Sequence, residues 1–300
     1  MKAFQLIFVA ILFSTATNAW SGTDEYQIGN EWGKHQVTEE VLASEDVIFQ
    51  RAAYATAYFG SATSFYLGKF NGFHVMATNY HVMKVPNCKN RKAKFPTINK
   101  SYACAKVFGL WTDIDLSLFA IKVPESDEHF FDDLGKNFDF DGSIYPGQEL
   151  LTVGFGTAGN PYQKLVANKD SDCKVFSQPG DFRFMADPDE FNPGPYKAWS
   201  FANGCDVSHG DSGSSFVDRK TGAVVGLVWT GRIPKKQSIK DSDYLNEILA
   251  NQSPEIWTEL TYAVPAQKIK EKLDEVLSSE QLDAESARTI EALLSNKTED

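Results

Sequence analysis

The sequence lacks the features of a nucleic-acid-binding or membrane-spanning protein. It has no excess of positive charge: its formal net charge is −11 at pH 7 over 300 residues. Proteins that bind nucleic acid usually carry a basic surface instead. Beyond the first residues, no segment approaches the ~18 consecutive apolar residues that a transmembrane helix needs. We therefore predict no nucleic-acid partner and no membrane span.

Cysteine and histidine are also scarce, which limits the kinds of site that this chain can build. There are four cysteines and five histidines. They show neither a CxxC spacing nor a histidine-rich spacing of the kind that indicates a zinc site. We therefore predict no metal site, and no cofactor is expected.

The first residues have the layout of an export signal. Lys2 precedes an apolar stretch from Phe4 to Phe13, and small residues follow up to Ala19. A charged start, a short apolar run and a small-residue end are typical of a secretory signal peptide. We predict that residues 1–19 are a signal peptide and that the mature protein is secreted or periplasmic.

Export makes the four cysteines interpretable, because thiols in an oxidising compartment pair as disulfides. Four cysteines allow three pairings, and the sequence alone does not choose among them. The preferred pairing joins Cys88 to Cys104, which would close a short basic loop. It also joins Cys173 to Cys205, which would brace the segment just before Ser212.

Three residue patterns follow one another along the mature chain. Residues 20–46 are polar and weakly patterned, and we interpret them as an N-terminal extension. From residue 47, short aromatic and β-branched runs are separated by Gly, Asn and Pro, which predicts an all-β domain. Two such series, about 47–125 and about 144–265, favour two packed β-barrels or sandwiches. Helical spacing of apolar residues predicts one or two α-helices within residues 266–300.

Three fragments carry side chains suited to nucleophilic catalysis. His81 ends the strand-like run ATNYHV, Asp115 precedes the apolar run in DLSLFAI, and Ser212 lies between two glycines in HGDSGSSF. Taken alone, each has an ordinary structural interpretation as a packed, strand-start or turn residue. Together they follow the order His, Asp, Ser of chymotrypsin-type proteases, which differs from that of subtilisins and α/β-hydrolases.

These fragments resemble the motifs of trypsin-like serine endopeptidases with a chymotrypsin fold. The similarity is to the bacterial branch with the staphylococcal glutamyl endopeptidase and the Deg-type proteases. GSATSFYLGKFNGFHVMATNYHV resembles the strand leading to T-N-x-H-V in that branch. GDSGSSFVDRKTGAVVGLVWTG resembles its G-x-S-G-S-P-V segment, although Ser215 replaces the usual proline. The resemblance implies two six-stranded antiparallel β-barrels in a peptidase domain over 47–278, followed by a C-terminal α-helix.

The resemblance also implies a role for each site residue. Ser212 would be the nucleophile, His81 the base that takes its proton, and Asp115 the acid that orients the imidazole. The backbone N–H groups of Gly210 and Ser212 would form the oxyanion hole. Asp113 is the competing acid. Asp115 is preferred because it aligns with the DLSL motif.

Substrate preference stays open between two classes of residue before the cleaved bond. Asp206 lies six residues before Ser212, where trypsin has the acid at the base of its specificity pocket, which favours Lys or Arg. Asp206 could instead be a structural acid that binds backbone N–H groups. Thr230 would narrow the pocket and so favour a small or apolar residue. Val228 replaces the histidine expected for glutamate specificity.

We therefore predict a secreted, monomeric serine endopeptidase that cleaves proteins or peptides through an acyl-enzyme intermediate. A catalytically silent binding protein on the same fold and an esterase with the same triad are the alternatives. Activation is also open. Asp211 occupies the position of the acid that pairs with a newly freed N-terminus in animal trypsins.

Overall fold

The computed structural model describes residues 22–132, 134–135, 138–279 and 281–296, and its main elements are strands. The predicted signal peptide lies outside these residues. The strands are β1 (Lys34–Gln36), β2 (Thr56–Phe59), β3 (Ala62–Phe70), β4 (Phe73–Thr78), β5 (Lys92–Phe95), β6 (Lys100–Trp111), β7 (Leu116–Ile121), β8 (Leu150–Gly154), β9 (Val166–Asn168), β10 (Arg183–Ala186), β11 (Lys197–Asn203), β12 (Ser215–Asp218), β13 (Val224–Gly231) and β14 (Thr261–Pro265). The α-helices are α1 (Glu39–Ser44), α2 (Val47–Tyr54), α3 (Ser242–Asn251), α4 (Ala266–Ser278) and α5 (Ala284–Leu294).

Strands β2 to β7 form a closed antiparallel barrel in the order β2-β3-β4-β7-β6-β5. Successive side chains of a strand point to opposite faces of the sheet. On β3, Tyr66 therefore packs inside the barrel with Phe59 and Met76, whereas Phe65 and Leu67 belong to the core outside it. Both faces of β3 and β7 are buried, so these two strands are nearly continuous apolar runs, whereas β5 alternates between exposed lysines and buried residues. The first six-stranded barrel predicted from the sequence is confirmed.

The remaining strands form one eight-stranded antiparallel sheet in the order β1-β9-β8-β12-β13-β14-β11-β10. Two single-residue bridges, Glu149–Lys174 and Val175–Asn203, connect the region after β9 with the start of β8 and the end of β11. Among the described residues, no continuous strand pairing joins the two ends of this sheet. The second six-stranded barrel is therefore not confirmed.

The N-terminal part is built into the fold. Strand β1 pairs with β9, so residues 34–36 form an edge of the second sheet. Helix α1 begins where the Thr38 hydroxyl accepts the Val41 N–H, and α2 where Asp46 accepts the Phe49 N–H at 2.8 Å. Such N-caps satisfy donors that have no partner within the helix. The β pattern expected from residue 47 therefore begins only after α2.

Two helices follow the last strand, as expected from the apolar spacing. Ile269, Leu273 and Val276 of α4, with Ile290 and Leu293 of α5, are buried in the main hydrophobic core. Helix α3 was not predicted. No helix of the described residues is both long and apolar enough to cross a lipid bilayer.

The structure contains two disulfides, Cys88–Cys104 and Cys173–Cys205. These are the pairs preferred on the sequence. The first closes the loop from the end of β4 to β6, and the second links the segment after β9 to the segment after β11. The second disulfide therefore lies at the base of the loop that carries Ser212.

Candidate active site

The turn after β4 brings His81 against Asp115, which lies in the turn between β6 and β7. His81 donates its backbone N–H to Asp115 Oδ1 at 3.0 Å and its ring Nδ1–H to Oδ2 at 2.7 Å. The backbone carbonyl of Asp115 in turn accepts from the Asn79 amide and the Tyr80 N–H, both at 3.0 Å. These bonds fix the imidazole and leave Nε2 as the ring nitrogen that can face a substrate.

The Asp115 carboxylate is fully buried. Burial raises its pKa, because desolvation disfavours the charged form, while the charge and hydrogen bonds of His81 oppose that rise. The His81 imidazole therefore stabilises the charged form of the Asp115 carboxylate. By contrast, Asp113 is 37% exposed and forms an ion pair with Lys272 at 3.1 Å. The structure therefore places Asp115, and not Asp113, beside His81.

Ser212 lies in the loop between β11 and β12, and this loop requires glycine on both sides of it. Gly210 and Gly213 have φ angles of +98° and +87°, a region that side chains disfavour. A Cβ at Gly210 would lie 2.5 Å from the Phe155 carbonyl oxygen, and one at Gly213 would lie 2.1 Å from that of Thr63. The small-residue spacing of GDSG therefore has a steric origin.

The Ser212 loop is attached to both sheets. The Ser212 carbonyl accepts the N–H of Thr63 on β3 at 3.0 Å. The Gly213 N–H donates to the Val228 carbonyl at 3.2 Å, and the Val228 N–H donates to the Ser214 carbonyl at 2.9 Å. Bonds to a barrel strand on one side and to β13 on the other position the serine between the two parts of the fold.

His81 and Ser212 line the same cavity, which has a volume of about 240 Å³. Thr230 lines it as well. A loop between β10 and β11 covers one side and contributes Asp187, Asp189, Asn192, Pro193, Gly194, Pro195 and Tyr196. The cavity is therefore lined by the Ser212 hydroxyl and the His81 imidazole, and by the carboxylates of the loop between β10 and β11.

Asp206 does not line this cavity, which corrects its assignment to the base of a specificity pocket. It is fully buried, and its two oxygens accept the backbone N–H groups of Ile28 and Gly33, each at 2.7 Å. Burial raises its pKa to about 8. These are the contacts of a structural acid, the alternative that the sequence left open.

Val228 is also absent from the cavity wall and must be removed from the specificity residues. Its side chain is fully buried in a hydrophobic cluster of the second sheet, and its backbone is hydrogen-bonded to the Ser212 loop. The next residue, Trp229, belongs to a different hydrophobic cluster and lines the cavity together with Thr230. The pairing of β13 with β14 is irregular between Val228 and Thr230.

The acidic side chains of the cavity were not identified from the sequence. Asp187 accepts the Thr230 hydroxyl and the Gly194 N–H. Asp189 accepts the His209 Nε2–H at 2.7 Å. This hydrogen bond is the main cause of a raised His209 pKa. The only sequence signal was a loop with three prolines and two aspartates, DPDEFNPGP, which matches no catalytic motif.

Within the described residues, no group of three or more His, Cys, Asp and Glu side chains has an arrangement that could hold a metal ion. The chemistry that the site offers is that of a serine hydroxyl, an imidazole and backbone N–H groups.

Comparison with known proteins agrees with this architecture. A family model described as a trypsin-like peptidase domain matches residues 62–227, more than half of the chain. An inactive-form mutant of Rv3671c from M. tuberculosis is similar, with 15% identity, a TM-score of 0.51 and coverage of 83% of this chain and 99% of the other. The inactive form of Rv3671c protease is similar too, with 16% identity, a TM-score of 0.50 and coverage of 81% of this chain and 98% of the other. At these identities the two structures show a shared fold only. No curated protein sequence matches the chain significantly.

Proposed function

Because the chain belongs to the trypsin-like peptidase family, we propose that it is an exported serine endopeptidase with Ser212, His81 and Asp115 as its triad. The observation that carries the proposal is the pairing of His81 with the buried Asp115 at the edge of the cavity that Ser212 also lines. Each of the three residues sits in its own motif, and the fold brings the motifs together from three separate loops.

The proposed reaction follows from these positions. Ser212 Oγ attacks the carbonyl carbon of the peptide bond while His81 Nε2 takes its proton. His81 then returns the proton to the leaving amine, and water hydrolyses the acyl-serine by the same route. Asp115 keeps Nδ1 protonated and stabilises the imidazolium that forms in each step.

The N–H groups of Gly210 and Ser212 are the proposed oxyanion donors. Both belong to the loop whose positive φ angles only glycine accommodates easily. Oriented donors of this kind stabilise the charge that develops on the carbonyl oxygen, and losing one costs ~10²–10³-fold in rate.

The cavity supports a preference for a basic residue before the cleaved bond, through Asp187 instead of Asp206. Asp189 is paired with His209, whereas Asp187 takes part in no ion pair in the part of the chain that the structure describes. The charge of Asp187 also acts on the His209 imidazole, which is paired with Asp189. A half-buried carboxylate outside any ion pair, in the cavity that Ser212 also lines, would favour a substrate cation.

The two disulfides support folding in an oxidising compartment, which agrees with export through the predicted signal peptide. The proposed enzyme acts on protein or peptide substrates as a monomer and uses no cofactor.

Covalent labelling tests the proposal directly. A fluorophosphonate probe should label the native protein at Ser212, and S212A should remove both the label and peptide hydrolysis. A folded protein that takes no label would favour the binding-protein alternative. Turnover of simple esters without turnover of any peptide in a diverse library would favour the esterase.

A further inference from the structure

A buried lysine from the N-terminal part of the chain contacts the acid that precedes Ser212. Lys34 lies on β1, 177 residues away from Asp211 in sequence, and its ammonium contacts Asp211 Oδ2. The Lys34 side chain is 3% exposed and that of Asp211 is 1% exposed. A carboxylate so deeply buried is strongly destabilised unless a cation and hydrogen bonds compensate it.

Asp211 is the centre of the Ser212 loop. Its Oδ2 accepts the Ser208 N–H at 2.8 Å and its Oδ1 accepts the Gly156 N–H at 3.0 Å. Its backbone N–H donates to the Ser208 carbonyl at 3.0 Å, and its own carbonyl accepts the Ser214 N–H at 2.8 Å. The loop is therefore folded around this one carboxylate.

The position of Asp211 controls the two proposed oxyanion donors. Gly210 and Ser212 are its direct neighbours, so rotation of the Asp211 backbone would turn both N–H groups away from the cavity. The carboxylate points into the protein, where Lys34 holds it. Loss of the ammonium would leave a buried carboxylate without its cation. The carboxylate could take up a proton, or Asp211 could turn toward water, and the second change would move both N–H groups.

Lys34 is itself fixed independently of Asp211. Strand β1 pairs with β9 in the register Lys34–Asn168, His35–Ala167 and Gln36–Val166. The Gly33 N–H, next to Lys34, donates to the buried Asp206. The ammonium therefore reaches Asp211 from a segment that is held by strand pairing from Lys34 to Gln36 and by the buried Asp206 at Gly33.

We propose that Lys34 is a positioning residue that holds the Ser212 loop in its reactive arrangement through Asp211, within the uncleaved chain. The side-chain ammonium takes the part that a freed N-terminal ammonium would take in an enzyme activated by cleavage. This inference rests on the proposed function, because it assigns Lys34 a role in the same reaction.

The test compares K34M, D211N and the double variant K34M/D211N with the wild type, by steady-state kinetics on a peptide substrate. K34M should lower kcat by ~10²-fold or more, the effect of losing an oxyanion donor, with KM changed only a few-fold. Because the two residues act as a pair, the double variant should be no slower than the slower single variant.

The matched control is K169M. Lys169 also joins the N-terminal part to the second sheet, through its ion pair with Glu45 at 2.5 Å, but it does not contact the Ser212 loop. K169M should keep kcat within twofold of the wild type. Hydrogen exchange should rise in residues 208–213 of K34M and stay unchanged there in K169M. An equal loss of kcat in both lysine variants would mean that the N-terminal part only stabilises the fold.

A second measurement does not depend on the folding of K34M. A mature chain extended by several residues before Trp20 should keep full activity, because the proposed cation is a side chain and not the α-amine. Activity that appears only after removal of the extension would overturn the inference. So would an active wild type with an equally active, folded K34M. A wild type that hydrolyses no peptide would overturn the proposed function itself, and this inference with it.

Discussion

Replacing Asp115 by Asn is the sharpest test of the proposed chemistry, because it changes one atom of a fully buried group. Asn can still accept the His81 backbone N–H through Oδ1. The atom that faces His81 Nδ1 at 2.7 Å would become an NH₂ donor. Nδ1 would then have to accept a hydrogen bond, which moves the ring proton to Nε2. An imidazole in that tautomer cannot take the proton of Ser212.

The expected loss is large and can be compared with a neighbouring control. The same substitution in a Ser-His-Asp triad lowers kcat by about 10⁴-fold, equivalent to about 5.5 kcal/mol of barrier. D113N removes only a part-exposed ion pair with Lys272 at 3.1 Å. Pairs of this kind contribute about 0–1 kcal/mol to stability, so D113N should keep kcat within twofold.

The assay is kcat and KM for both variants on one peptide substrate, with thermal unfolding as a check that each is folded. A folded D115N within tenfold of the wild-type kcat would refute the assignment of Asp115. A loss as large in D113N as in D115N would refute the structural distinction between the two acids.

Three further predictions concern the cavity and the disulfides. D187N should reduce the ratio of turnover on matched Arg and Ala peptides by at least tenfold. If the wild type turns over the Arg peptide no faster than the Ala peptide, the proposed role of Asp187 is contradicted. The pairing of His209 with Asp189 raises the His209 pKa, so its stabilising contribution is full below the unfolded-state value of ~6.5. This contribution should be lost as the pH rises through the higher folded-state pKa of His209. In a plot of unfolding free energy against pH, H209N should therefore flatten the fall between these two pKa values. Replacing Cys173 and Cys205 by Ser should cost about 2–4 kcal/mol of stability. It should also reduce kcat more than replacing Cys88 and Cys104 by Ser. An equal effect of the two replacements on kcat would contradict the idea that Cys173–Cys205 braces the Ser212 loop.

The sequence by itself proposed His81, Asp115 and Ser212 as the triad, because each lies in a short motif that resembles one of the trypsin-like peptidases. The glycines around Ser212 are needed by the backbone of the loop itself. The apolar runs of the first barrel and the helical spacing of α4 also depend mainly on neighbours in sequence. Apolar residues that repeat about every 2 positions in a strand, or every 3.6 positions in a helix, indicate which face of the element is buried.

Only the tertiary structure decided which groups Asp206, Asp187 and Lys34 contact. An aspartate six residues before a serine can face a pocket or the core, and here two N–H groups from residues 28 and 33 turn Asp206 into the core. Asp187 joins the cavity because the loop after β10 folds over it. Lys34 meets Asp211 across 177 positions of sequence, because β1 adds to the edge of a sheet made by distant strands. Contacts of this kind depend on how the whole chain packs, and no local spacing of residues encodes them.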